Sequence, residues 1–320
     1  MSAAFGSPAS TSLDELVRLR ALASGLGRRA SRSRAPLAGA AVSRRLGRGL
    51  DFAETRVYQP GDDVRMIDWR VTARSGNAHT KLFVEERERP VLLFVDARVA
   101  MRFATRGIYK SAMAARLAAV LGWSAVAAHD RVGGFVLSDD WHAEVRPRSG
   151  RRALMALFRA IDQSQRRVPT EAGGPPLGDA LARLRHVAQP GSTVVVLSDF
   201  AGFDEAARAA LGALLHGLDL LAVQVSDPLE RSLPADGRYE IAGADGARRT
   251  LVVSGRAQRA RHSARFEARR REVIDFFARG GHRHVDVSTE EPLAEAAARV
   301  LTRAPERAPE RAPSAPPGTR

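Results

Sequence analysis

Two kinds of apolar spacing alternate along the chain. Continuous runs, Val91 to Val95, Thr193 to Leu197 and Leu218 to Val225, are the pattern of strands buried on both faces. Between them lie stretches of helical period, at 107–128, 151–163, 177–188 and 204–216. Arg131 to Leu137 and His142 to Arg146 predict two short strands divided by the Ser138-Asp139-Asp140 turn. Further on, Tyr239 to Ile241 and Arg248 to Val253 predict a hairpin across Asp245-Gly246. A helix over 257–279, a strand over 283–287 and a last helix over 291–302 complete the pattern. Strands alternating with helices predict an α/β fold: a mostly parallel, doubly wound sheet flanked by helices.

The chain ahead of this pattern reads differently. Leu16, Leu19, Leu22 and Leu26 make one apolar helix face, with Asp14 as its expected cap. Nine arginines and no acid fall between Arg18 and Arg48. Over 51–88, strand-like pieces (FAETRVY, VRMIDW, HTKLFVEER) alternate with the turn signals QPGDD and SGN, predicting a small β element. The organisation expected is a basic N-terminal helix and connector (1–46), the β element (47–89), the main α/β domain (90–302) and a disordered Pro-rich tail (303–320).

Composition narrows the function classes. With no cysteine, disulfides, thiolate metal sites and thiol nucleophiles are excluded. No run approaches the roughly 20 apolar residues of a membrane helix, and Asp14 and Glu15 stand where a secretory signal would be basic, so a cytoplasmic protein without a membrane span is expected. The net charge of +14 is carried almost wholly by arginine, since the only lysines are Lys81 and Lys110. Arginine-favouring base composition explains much of that. A basic nucleic-acid or polyanion binder, using Arg18 to Arg48 and Arg256 to Arg271, is the alternative function class. No phosphate-binding glycine loop or nucleophile elbow is present, and His282 and His284 lack an evident third metal ligand.

The most distinctive stretch holds Arg56, Tyr58, Gly61, Asp62, Asp63, Arg65, Asp68, Trp69 and Arg74. Arginines alternating with aspartates favour a bidentate ion-pair network, and Trp69 and Tyr58 are expected to anchor it against the sheet. The same residues suit a docking surface. A catalytic carboxylate pair is disfavoured, because no Asp/Glu-x-Lys follows Asp62 and Asp63. The spacing R-x-Y-x-x-G-D-D-x-R-x-I-D-W-x-x-x-A-R resembles the signature of the bacterial domain of unknown function 58 family. The resemblance runs from about Gly47 to about Ala298 and implies a von Willebrand factor A-like domain. It also implies a MoxR-type AAA+ ATPase as partner, with the chain as a non-catalytic adaptor between that motor and a client protein.

Domains of the von Willebrand A type often hold Mg²⁺ with D-x-S-x-S after the first strand, a Thr in a later loop and an Asp at another strand end. Mg²⁺ requires an octahedron of oxygens. Here Asp96 and Asp199 keep the acids, but Arg98 and Ala100 replace the two serines and Pro175 stands at the threonine. The expected site is therefore degenerate, holding no metal and no cofactor. Arg98 is expected to replace the ion, bridging Asp96 and Asp199 as a guanidinium clamp.

Overall fold

A computed structural model of the chain describes residues 9–32, 50–59, 64–85, 89–167, 175–215, 217–242 and 248–302. Two helices come first, α1 (Leu13–Arg18) and α2 (Arg20–Arg32). Ser12, not Asp14, caps α1: its hydroxyl accepts the Glu15 N–H, and Asp14 sits in the first turn, where its charge complements the helix dipole.

Strand β1 (Leu50–Val57) leads through a 3-10 turn, Val64–Met66, into helix α3 (Trp69–Ser75) and strand β2 (His79–Glu85), which pairs antiparallel with β1. The segment VRMIDW is thus not the strand its alternation predicts. Only Ile67 bridges to β2, opposite Thr80. One Asp68 carboxylate oxygen accepts the Arg70 and Val71 N–H groups, which nucleates α3, and Gly76 ends it at φ 75°. Local capping overrides the alternation.

The main sheet is built from β3 (Pro90–Asp96), β4 (Arg131–Leu137), β5 (His142–Arg148), β6 (Thr193–Ser198), β7 (Asp219–Ser226) and, beyond a side hairpin of β8 (Gly237–Ala242) and β9 (Arg248–Val253), β10 (Arg283–Ser288). Its order is β10-β7-β6-β3-β4-β5, parallel except for the edge pair β4–β5. The antiparallel edge follows from the tight turn at 138–141, too short for a crossover. Strand order reverses at β3, so the open crevice lies at the carboxyl ends of β3 and β6.

Helices cover both faces: α4 (Lys110–Ala127), α5 (Arg151–Arg166), α6 (Leu177–Leu184), α7 (Glu205–Leu215), the single turn α8 (Pro228–Arg231), α9 (Arg256–Arg279) and α10 (Leu293–Leu301). The side-chain period of two sorts β3 between the layers. Leu93 and Val95 pack in the core with α4, α5 and α10, and Leu92 and Phe94 in the core with α6, α7 and α9. Helix α4 is apolar around nearly its whole circumference, as a fully enclosed helix must be. The enclosure is completed by α1 and α2. Leu16 and Leu19 join the α4 core, Arg116 Nε donates to Glu15 Oε1 at 2.6 Å, and Trp123 Nε1 donates to the Leu16 carbonyl at 3.0 Å. Gly122 permits the close approach of α5, since a Cβ there would strike the Leu154 side chain. Among the described residues no helix is long and apolar enough to cross a membrane.

Candidate functional site at the carboxyl edge of the sheet

Strand β3 delivers Asp96 to the crevice with its side chain fully buried. A carboxylate offers about four acceptor sites, and four donors meet this one. Arg98 Nε and the Arg98 backbone N–H reach Oδ1 at 3.0 and 3.1 Å, while Arg98 Nη2 and Ser198 Oγ reach Oδ2, each at 2.7 Å. The guanidinium also donates to the Ala201 carbonyl at 3.2 Å, tying the end of β3 to the loop after β6. Burial opposes the charge on Arg98. The hydrogen bonds and negative charge of Asp96 more than offset it, so the pKa of Arg98 is raised.

Arg98 does not bridge to Asp199, however. Lys110, the first residue of α4, takes that position, its Nζ donating to Asp199 Oδ2 at 2.7 Å and to Glu230 Oε1 at 2.6 Å. The Ala201 N–H occupies Asp199 Oδ1 at 2.8 Å. Desolvation of the enclosed ammonium is outweighed by its two carboxylates, and the Lys110 pKa is raised. The clamp expected of one arginine is therefore divided between two cations: the guanidinium commits Nε and Nη2 to Asp96 and the Ala201 carbonyl, and the ammonium takes Asp199. The division was not visible in the sequence, although a signal existed. A cation in the first turn of an apolar helix opposes the helix dipole, so a lone lysine there calls for an acidic partner.

The loops around this pair are tied by a third buried carboxylate. Asp227 caps α8, accepting the Leu229 N–H, and also accepts the Thr105 N–H and the Thr105 and Thr289 hydroxyls, while Glu230 Oε2 accepts the Asp227 N–H. On the other side, Asp139 Oδ1 accepts the Val99 N–H at 3.1 Å. Phe200 holds a left-handed φ of 56°, a strained value for a residue with a side chain, and its N–H donates to Ser198 Oγ. Ala100 lies exposed on the 3-10 turn Val99–Met101, and Pro175 lies two residues ahead of α6. Residues 168–174, the rest of that loop, lie outside the described residues.

These residues do not fit a divalent cation. The acceptor sites of Asp96 are filled, Asp199 is held by an ammonium and a backbone N–H, and the hydroxyl positions are a guanidinium and a methyl group. An ion could reach either carboxylate only by displacing the cation already seated on it.

The motif element has a different character. Gly61, Asp62 and Asp63 lie outside the described residues, as does the Asp245-Gly246 turn. Arg56 and Tyr58 are half-buried at the end of β1, and the Tyr58 N–H donates to the Ala78 carbonyl. Arg65 and Arg74 are exposed, and Asp68 is the α3 cap. Trp69 does not anchor the element. As the first residue of α3 it is 70 % exposed, with Val64 and Val57 also exposed. The paired histidines have separate local roles: His282 Nδ1 accepts the Leu220 N–H, and His284 Nε2 meets Gln224 Oε1. Among the described residues no cluster of three metal-ligating side chains forms.

Comparison with known proteins places the chain. Uncharacterized proteins of Mycobacterium bovis and Mycobacterium tuberculosis are each 31% identical to it over 191 residues, 60% of this chain; the chain spans 59% of their length. Solved structures of similar arrangement include BatB from Bacteroides thetaiotaomicron, a conserved hypothetical protein, at 15% identity and a TM-score of 0.35 over 67% of this chain and 97% of that one. Another is a von Willebrand factor type A protein from Catenulispora acidiphila, at 14% identity and a TM-score of 0.31 over 46% of this chain and 35% of that one. Residues 54–273, which span the motif and all but the last strand of the main sheet, match the family described as Protein of unknown function DUF58, and the chain belongs to that family.

Proposed function

We propose that this protein is a cytoplasmic, non-catalytic interaction module of von Willebrand A-like type, binding partners through its strand-end loops without a bridging metal ion. The supporting observation is the double substitution at the crevice, with Arg98 on Asp96 and Lys110 on Asp199 and Glu230. In a metal-dependent module, a partner carboxylate completes the coordination shell of the ion. Here Asp96 and Asp199 already hold cations of the chain itself, so recognition falls to the shape and charge of the surrounding loops, near Arg98, Pro175 and Phe200. The family resemblance supplies the partner class: a MoxR-type AAA+ ATPase, with the chain as adaptor to a client protein.

The test is capture of such an ATPase on the immobilised protein, in nucleotide-free buffer, with and without chelator. Equal capture is expected in both. Loss of capture on adding chelator alone would contradict metal-independent binding.

A further inference from the structure

Beside the Lys110 cluster runs a groove of about 780 Å³ between the strand-end loops, the β8–β9 hairpin and α9. Its walls include Leu229, Leu233, Ile241 and Leu251, all only half-buried by the chain's own packing. Its border on α9 carries Arg261 and Arg265, both exposed, and a smaller hollow sharing Asp199, Ala201 and Glu230 continues past Arg269. Among the described residues, no acidic side chain pairs with Arg261, Arg265 or Arg269. Their neighbours on the same helix, Arg259 and Arg270, are paired with Asp236 and Asp286. The two carboxylates lining the groove, Asp199 and Glu230, are already held by Lys110.

We infer that this groove binds an acidic peptide segment of a partner protein that also carries apolar side chains, its carboxylates on the α9 arginines and its apolar groups on the leucine and isoleucine wall. The spacing fits. Arg261, Arg265 and Arg269 recur every fourth residue, one per ~6 Å of helix, and alternate side chains of an extended peptide recur at about 6.6–7 Å. Acids at every second residue would therefore meet successive arginines, as an unmet cation row beside a hydrophobic wall requires. A nucleic acid would satisfy the arginines and leave the apolar wall exposed. Phe103 and His262 also line the groove and offer rings on which a base can stack, so a single-stranded nucleic acid is one arm of the test.

This inference rests on the interaction-module reading, and its test separates the two. The probe is a short fluorescein-labelled peptide in which Glu and Leu alternate, followed by fluorescence anisotropy with the full chain. Comparison probes are a Glu–Ser alternating peptide and a single-stranded oligothymidylate of equal charge. Saturable binding of the Glu–Leu peptide is expected, weaker by about tenfold or more for R261E/R265E and, separately, for L233D. Circular dichroism checks that the variants stay folded, and L233S replaces L233D if it does not.

Absence of saturable binding would overturn the inference, as would equal binding to R261E/R265E. So would equal or tighter binding of the Glu–Ser peptide or the oligothymidylate, which would mean a general polyanion surface. If the peptide fails while the ATPase is still captured, only the groove assignment falls. If the peptide binds and the ATPase does not, the groove stands and the adaptor partner falls.

Discussion

Lys110 is a buried cation held by two carboxylates. Its ammonium is enclosed at the start of an apolar helix and is compatible with burial only because Asp199 and Glu230 face it. Replacing it leaves two carboxylates uncompensated, and breaking a buried pair in this way costs about 3–5 kcal/mol. K110M should therefore unfold at markedly lower denaturant concentration. Adding D199L and E230Q to it should recover much of the loss, because the stranded charges are the main cost; failure to recover would mean that Lys110 matters through packing alone. Trp69 makes the opposite case. It is the most conspicuous residue of the motif, yet it is largely exposed, so W69A should change stability by no more than about 0.5 kcal/mol. A loss of several kcal/mol in a denaturant titration would restore the anchoring role expected from the sequence. At this scale the sequence was legible for Asp96, Arg98 and Asp199, whose positions follow strand ends. It was silent on Lys110, because the partners of a helix residue depend on how α4 docks.

At the level of elements, the N-terminal helix pair changes the picture most. The leucine spacing at 16, 19, 22 and 26 announced an amphipathic helix but not its seat. The seat is the outer face of α4, where Leu16 is fully buried. L16A should cost about 2–5 kcal/mol, as core leucine truncations do, measured by chemical denaturation. A negligible change would mean the helix only decorates the domain. The parallel strands were readable because burial on both faces leaves an uninterrupted apolar run, and β3, β6 and β7 fall within a residue of the expected spans. Helix α3 was not readable, because a three-residue capping interaction at Asp68 outweighs a strand-like alternation. Around β10, burial holds His282 and His284 below the ordinary value of about 6.5, against the raising effect of Asp219 and Asp286. The unfolded chain thus binds protons first as pH falls through that value, and stability is lost as pH falls from neutrality through and below about 6.5. The thermal midpoint should drop over this range in the wild type and drop less in H282Q/H284Q. An identical drop would place the effect elsewhere.

For the molecule as a whole, the sheet order brings β3 and β6 side by side and opens a crevice at their carboxyl ends. That is where a doubly wound fold presents a ligand site, and here the chain fills it with its own positive charge. The basic composition thereby acquires two distinct uses: arginine and lysine buried against carboxylates at the crevice, and the unpaired arginine row on α9 facing outward beside an apolar groove. Binding through the loops would then depend on salt more than on metal. The most direct test is an anomalous-difference map from crystals soaked in manganese. No peak is expected at Asp96 or Asp199, with the Arg98 guanidinium and the Lys110 ammonium seated on the two carboxylates. A strong peak bonded to Asp96, with Arg98 swung away, would contradict the account.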